Sequence, residues 1–253
     1  MAEGRPHIFL RSGSDIDRIT INKKAMKYIA KDGIQFIIGA LVFSLVFLVL
    51  YFYAKYIILK YIFFSFLILS LLFFFFCIYF FRDPERKPDS TLKEGEIVSP
   101  ADGRVIFLQK VFDGRFLKEE AVKVSIFMSL FNVHVNRIPA GGIVEEIIYN
   151  KGKFFSANLD KASLENEYNG IVLSIEDNSG GKNKRIAFVQ IAGLIARRIV
   201  CRIKEGDKVK PGSRFGLIKF GSRLDIYLPL SFRQSIKVGD RVFSGKTIIG
   251  KIS

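Results

Sequence analysis

The sequence predicts a mainly β soluble domain, with β-sandwich elements of the lipoyl- and biotin-carrier kind, preceded by a two-helix transmembrane hairpin. Three observations carry that prediction. Two uncharged runs, residues 34–54 and 61–81, each extend over 21 residues. From residue 82 onward, short alternating runs are broken by Gly, Pro, Asp and Asn. Within that part, Gly206-Asp207-Lys208-Val209 with Gly212 and Gly216 is echoed by Gly239-Asp240-Arg241-Val242 with Gly245 and Gly250.

The first element is residues 1–33, a polar cytoplasmic segment. Residues 1–31 hold seven Lys/Arg against three acids. The runs 34–54 and 61–81 follow, separated by Lys55 to Lys60. At about 1.5 Å per residue each run spans roughly 30 Å, the thickness of a bilayer's hydrocarbon core. A polar stretch ahead of the first run and a second run behind it exclude a cleavable signal peptide. Arg11, Arg18, Lys23, Lys24, Lys27 and Lys31 precede the hairpin, and Arg82, Arg86 and Lys87 follow it. The positive-inside rule therefore puts both flanks in the cytoplasm, against the inner or plasma membrane.

Residues 82–253 form the third part. Strand patterns lie at 104–110, 122–128, 171–176, 185–192 and 224–228. Their β-branched and aromatic alternation suits half-buried strands. The repeated G-D-x-V-x-x-G pattern is a turn between strands in which glycine supplies positive φ.

Composition narrows the function classes. The net charge of +15 suits an anionic partner, and thirty of the 39 Lys/Arg lie beyond residue 81. No basic run is interleaved with stacking aromatics, which argues against nucleic acid and for a membrane surface. Cys77 and Cys201 suit a reducing compartment. With His7 and His134 as the only histidines, no metal-ligand cluster is expected.

Three places could hold chemistry. His134 lies in Phe131 to Pro139, where an isolated histidine is ordinarily a structural hydrogen-bonder. Asp102 sits in the Pro/Gly turn Ser99-Pro100-Ala101-Asp102-Gly103, where Asp is ordinarily an Asx-turn residue. Gly221-Ser222 interrupts the strand pattern of residues 215–229, which by itself reads as a bulge. The same tripeptide recurs at Gly212-Ser213-Arg214 after Pro211, a polar turn with a structural role.

Taken in order, five stretches resemble the short form of the phosphatidylserine decarboxylase family. They are residues 80–86 (FFRDPER), 99–103 (SPADG), 127–137 around Asn132-Val133-His134-Val135-Asn136-Arg137, 196–199 (ARRI) and 219–223 (KFGSR). The resemblance implies a pyruvoyl-dependent, self-cleaving enzyme converting phosphatidylserine to phosphatidylethanolamine and CO₂ through a Schiff base. It implies cleavage between Gly221 and Ser222 into a β chain 1–221 and an α chain 222–253, with Ser222 becoming the covalent pyruvoyl cofactor. Neither metal nor pyridoxal phosphate enters.

Serine supplies both the nucleophile and the oxygen that later leaves, and Asp102 or His134 could take its proton. His134 suits the proton donor of turnover. Arg137 stands where longer family members carry a second histidine. There it could bind substrate phosphate or carboxylate, or form a surface salt bridge. The expected partners are a phospholipid, the membrane, the two chains as a heterodimer, and room for a higher homo-oligomer. Two other readings share these features: a decarboxylase of an archaetidylserine-type lipid, and a non-enzymatic, membrane-tethered β-sandwich adaptor.

Overall fold

The computed structural model describes residues 28–86, 88, 92–152, 165–175, 183–193, 198–219 and 222–253. They fall into two compact units, one ending at Pro84 and one beginning at Glu85. The segment up to Lys27, Ala196-Arg197 and Gly221 lie outside the described residues.

The first unit contains helices α1 (Ile34–Tyr53) and α2 (Ile57–Phe80), each long and apolar enough to cross a membrane. The second begins four residues before its uncharged run and takes in Lys60, because Ala54 to Tyr56 suffice to reverse the chain. Lys60 lies in the first turn, where a long aliphatic stem can carry its ammonium away from an apolar surface. The two ends of the hairpin are tied together. Ala30 donates to the Phe81 carbonyl at 2.8 Å and Asp83 to that of Tyr28 at 2.6 Å. Gly33 permits this closure, since a Cβ there would stand 2.2 Å from the Phe81 ring. Midway, the Ser44 and Ser70 hydroxyls meet at 3.0 Å. Most other side chains along both helices are exposed apolar groups.

The second unit is mainly β, and its strands come in two repeated modules. The three-strand module is β1 (Glu96–Val98), β2 (Gly103–Asp113) and β3 (Glu119–Met128), repeated as β4 (Val135–Arg137), β5 (Gly142–Asn150) and β6 (Tyr168–Ile175). The four-strand module is β7 (Lys184–Ala192), β8 (Ile199–Cys201), β9 (Lys208–Val209) and β10 (Arg214–Ile218). Its repeat is β11 (Ser222–Pro229), β12 (Phe232–Gln234), β13 (Arg241–Val242) and β14 (Ile248–Ile252).

The sheets show that the two modules are interlaced. The large sheet runs β13-β2-β3-β11-β7-β6-β5-β9, and the two small ones run β1-β14-β12 and β4-β10-β8. Reading the large sheet inward from either edge gives equivalent strands, so a pseudo-twofold axis lies between β11 and β7. Hydrogen bonds obey it. Gly239 donates to Val105 as Gly206 does to Val144, and Val105 donates to Asp240 as Val144 does to Asp207. Register irregularities recur at Val105/Phe107 and Val144/Glu146. The registers make Leu224 the counterpart of Ile186, and Ile226 that of Phe188. Ile226 and Phe188 then face each other across the seam, on the axis itself.

The G-D-x-V repeat is the visible edge of this duplication. Its two short strands, β9 and β13, close opposite edges of the large sheet. Gly206, Gly212, Gly239 and Gly245 all have φ between +71° and +98°, where a Cβ would be strained. A second echo accompanies it: Pro100-Ala101-Asp102-Gly103 enters β2 as Pro139-Ala140-Gly141-Gly142 enters β5.

The core lies between the large sheet and the small sheets and takes one face of β11 and β7, including Leu224, Ile226, Ile186 and Phe188. A second cluster around Phe116, Val189 and Tyr227 covers the opposite face. With both faces covered, β11 is buried from Ser222 to Leu228. The seam should therefore tolerate little change. Phe188→Ala, which also removes the 5.0 Å edge contact with Phe215, should cost about 3–5 kcal/mol in denaturant unfolding in detergent micelles.

Candidate functional site

Ser222 opens β11, paired with Met128 of β3 and Ala192 of β7. Strand alternation turns its side chain to the same face as Leu224 and Ile226. The residue is wholly buried, and its Oγ has no hydrogen-bond partner among the described residues. A buried orphan hydroxyl costs free energy. A group poised to react is one reason to retain it.

An amide chain lies beside Ser222. Asn169 donates to Gln190 Oε1 at 3.2 Å, and Gln190 donates to Asn136 Oδ1 at 2.9 Å. Asn136 Nδ2 in turn lies 3.7 Å from the sulfur of Met128, the cross-strand partner of Ser222. Gly216 makes room for the chain, because a Cβ there would approach Gln190 Nε2 to 2.9 Å.

Immediately before β4 is His134, with 1% of its surface exposed. Its Nδ1 lies 3.0 Å from the Asn132 carbonyl oxygen, which makes Nδ1 the protonated nitrogen. A neutral ring then carries its lone pair on Nε2. The preceding loop is knitted by Asn132 Oδ1, which accepts from the Ser129 amide at 2.9 Å and its hydroxyl at 2.8 Å.

Asp102 is held by other partners. Arg86 pairs with both carboxylate oxygens, Nη1 with Oδ1 and Nη2 with Oδ2 at 2.8 Å, and the Ser244 amide donates to Oδ1 at 2.8 Å. Arg137 is also engaged: its Nη1 donates to the carbonyls of Gly212 at 2.9 Å and Arg86 at 3.1 Å. Thus Asp102, Arg86, Arg137 and Ser244 make one buried knot. It reaches β4 through Ser244 Oγ, 3.3 Å from the Val135 carbonyl.

Behind Ser222, on the other face of β11, lies a buried ionic cluster. Arg223 Nε meets Asp225 Oδ1 at 2.6 Å and its Nη2 meets Ser125 Oγ at 2.8 Å. Lys123 Nζ approaches Asp225 Oδ2 to 3.1 Å. Arg223 and Asp225 side chains are 1% and 0% exposed. Nearby, burial pushes the Tyr227 phenol above its ordinary value and the Asp225 charge adds to this, while Lys123 and Arg115 pull the other way.

A family model described as phosphatidylserine decarboxylase matches residues 73–250. The chain belongs to the phosphatidylserine decarboxylase family. It is 52% identical over 176 residues to the phosphatidylserine decarboxylase proenzyme of Desulfotalea psychrophila, covering 69% of this chain and 78% of that one. The proenzyme of Syntrophus aciditrophicus is 45% identical over 225 residues, 88% of this chain and 97% of its own length. That of Magnetococcus marinus is 50% identical over 175 residues, 69% and 77% of the two chains.

The expected family residues occupy one end of the large sheet but are not all joined. Asp102 and Arg137 share a knot through Arg86, His134 borders it through Val135, and Ser222 approaches β4 through Met128 and Asn136. Arg137, 3% exposed, is a buried tie between carbonyls and not a surface salt bridge. Sequence reading placed Arg86 and Asn136 in family-matching stretches, with Arg86 also a membrane-flanking charge, but gave neither a role in the site and passed over Gln190. Its signal was present, since Gln190 is the one polar residue in the run from Ile186 to Ala192.

Removing one partner of a buried ion pair leaves a bare charge, whereas replacing both can be nearly neutral. In urea titrations Arg223→Met should therefore lose about 3–5 kcal/mol, and Arg223→Met with Asp225→Leu markedly less. Because the Tyr227 pKa is raised on folding, stability should fall as pH rises above the ordinary value of 10.0. Tyr227→Phe should flatten that alkaline loss.

Proposed function

We propose that this chain is a membrane-anchored phosphatidylserine decarboxylase that matures by cutting itself between Gly221 and Ser222. The observation that carries the reading is the buried, unpartnered Ser222 hydroxyl at the start of a central strand. Family membership supplies the reaction, and the orphan hydroxyl suits the residue that becomes the cofactor.

In maturation His134 Nε2 accepts the Ser222 hydroxyl proton as Oγ adds to the Gly221 carbonyl. The peptide C–N bond breaks and an ester forms. Removal of the residue 222 α-proton then breaks the Cβ–Oγ bond, and Gly221 departs as a chain-ending carboxylate. The resulting enamine tautomerises, and water displaces its nitrogen as ammonia, leaving a pyruvoyl group. The products are chains 1–221 and 222–253.

That group, once formed, supplies a ketone that serves as an electron sink for an amine-bearing carboxylate. The protein's own residues bind, orient and move protons. His134, fixed through Nδ1 by the Asn132 carbonyl, returns a proton from Nε2 to the substrate carbon that has lost CO₂. Asp102 and Arg137 act through the knot with Arg86, holding the 99–103 turn against β4. The Asn169-Gln190-Asn136 chain keeps β4 in register with the strand end bearing residue 222.

The hairpin gives access to the substrate. Withdrawing a lipid from a bilayer costs about 0.8 kcal/mol per CH₂, so the enzyme works at the interface. Tyr53, Tyr56 and Tyr61, all exposed around the interhelical turn, suit an aromatic belt at one membrane face. The basic flanks support a catalytic unit on the cytoplasmic side of the cell membrane.

Intact mass under denaturing conditions should find two chains for the natural protein and one for Ser222→Ala. His134→Ala should remain uncut. Asp102→Asn, which keeps the turn but weakens the pair with Arg86, should still cut, more slowly. A natural protein found active yet whole would refute the reading.

A further inference from the structure

The pseudo-twofold axis creates a second copy of the site, at the opposite end of the large sheet. The registers identify its parts. Ser222, first in β11 and paired with the last residue of β3, corresponds to Lys184, first in β7 and paired with the last residue of β6. Asp102 corresponds to Gly141 through the repeated Pro-Ala entry to β2 and β5. Asn136 corresponds to Ile97, each opposite the glycine of its small sheet, Gly216 or Gly250. His134, two residues before Asn136, therefore corresponds to Gly95.

The twin is not filled in. A cavity of about 750 Å³ occupies it, lined by Gly95, Ile97, Gly141 and Lys184 among others. Where one site has histidine and aspartate, the other has glycine at both positions, and the missing side chains leave room. Its volume falls in the range of small-molecule sites, ~300–1,000 Å³. Five lysines line it, Lys93, Lys184, Lys208, Lys210 and Lys251, against Glu94 and Glu96. They come from four separate segments, Lys208 and Lys210 sharing one, so the fold, and not one basic run, gathers the charge. The nucleophile and histidine of the other site are absent here, which leaves binding and not catalysis.

We propose that this cavity is a binding site for a phosphate-bearing anion, formed as the non-catalytic twin of the Ser222 site. Ammonium groups act on phosphate as point charges and need no bidentate geometry. Lys184 is central, since it holds the position that Ser222 takes in the twin. The ligand chemistry is that of a phosphoester, free in solution or displayed by a lipid headgroup. The proposal stands apart from the decarboxylase reading and does not need an active enzyme.

The test is lysine footprinting by brief acetylation and mass spectrometry, on the full chain in phosphatidylcholine nanodiscs at fixed ionic strength. The Ser222→Ala protein is run in parallel, so that loss of cleavage or turnover leaves the readout intact. Inorganic phosphate and glycerophosphoserine form the soluble arm, and nanodiscs containing phosphatidylglycerol form the lipid arm. Saturable protection of Lys184 and Lys208 in either arm, with Lys110 and Lys118 unaffected, is the expected result, and the responding arm identifies the source.

Lys184→Gln should weaken binding about tenfold, the loss of one charge-assisted contact, read from Lys208 protection, and Lys184→Arg should restore it. Uniform protection of all four lysines, no protection in either arm, or protection unchanged in Lys184→Gln would each overturn the proposal.

Discussion

The fold depends on the contact between β11 and β7. Each strand belongs to a different copy of the four-strand module, and each is buried because its neighbour's copy covers it. Ile226 facing Phe188 on the axis is where the two copies meet. An eight-stranded antiparallel sheet built this way places equivalent strand beginnings at opposite ends. A duplicated architecture therefore offers two chances at a site, and sequence divergence decides what each becomes.

At one end the divergence is polar and expensive. Asn136 with Gln190 and Arg223 with Asp225 sit where water is excluded, and Asp102 is buried against a partly buried Arg86. Buried charges seldom improve stability over well-packed apolar groups. They fix geometry, because each group has one satisfactory partner. The Ser222 hydroxyl has no hydrogen-bond partner among the described residues.

Much of this was readable in the chain. The helices, the strands around residues 104–110, 122–128, 185–192 and 224–228, and the glycine turns follow from periodicity and from the φ that only glycine adopts freely. The duplication was half legible: the G-D-x-V turns announced it, but its other echo pairs Asp102 with Gly141, and the change of residue hides the match. The knot was not legible, since Arg86 and Asp102 meet only after the strands have assembled. Arg86 beside a hydrophobic run looks like any membrane-flanking cation. Gln190 and Asn136 stand far apart in sequence and become a pair only when β4 packs across β7.

The distribution of the last four strands has a consequence for a chain cut ahead of Ser222. Those strands do not form a lobe. One runs through the middle of the large sheet, one closes its edge, and two belong to a small sheet shared with β1. A fragment woven through its host in this way cannot peel off without unravelling the whole β unit. Severing one covalent link would leave the assembly topologically fastened, like a thread cut at one stitch in a woven cloth.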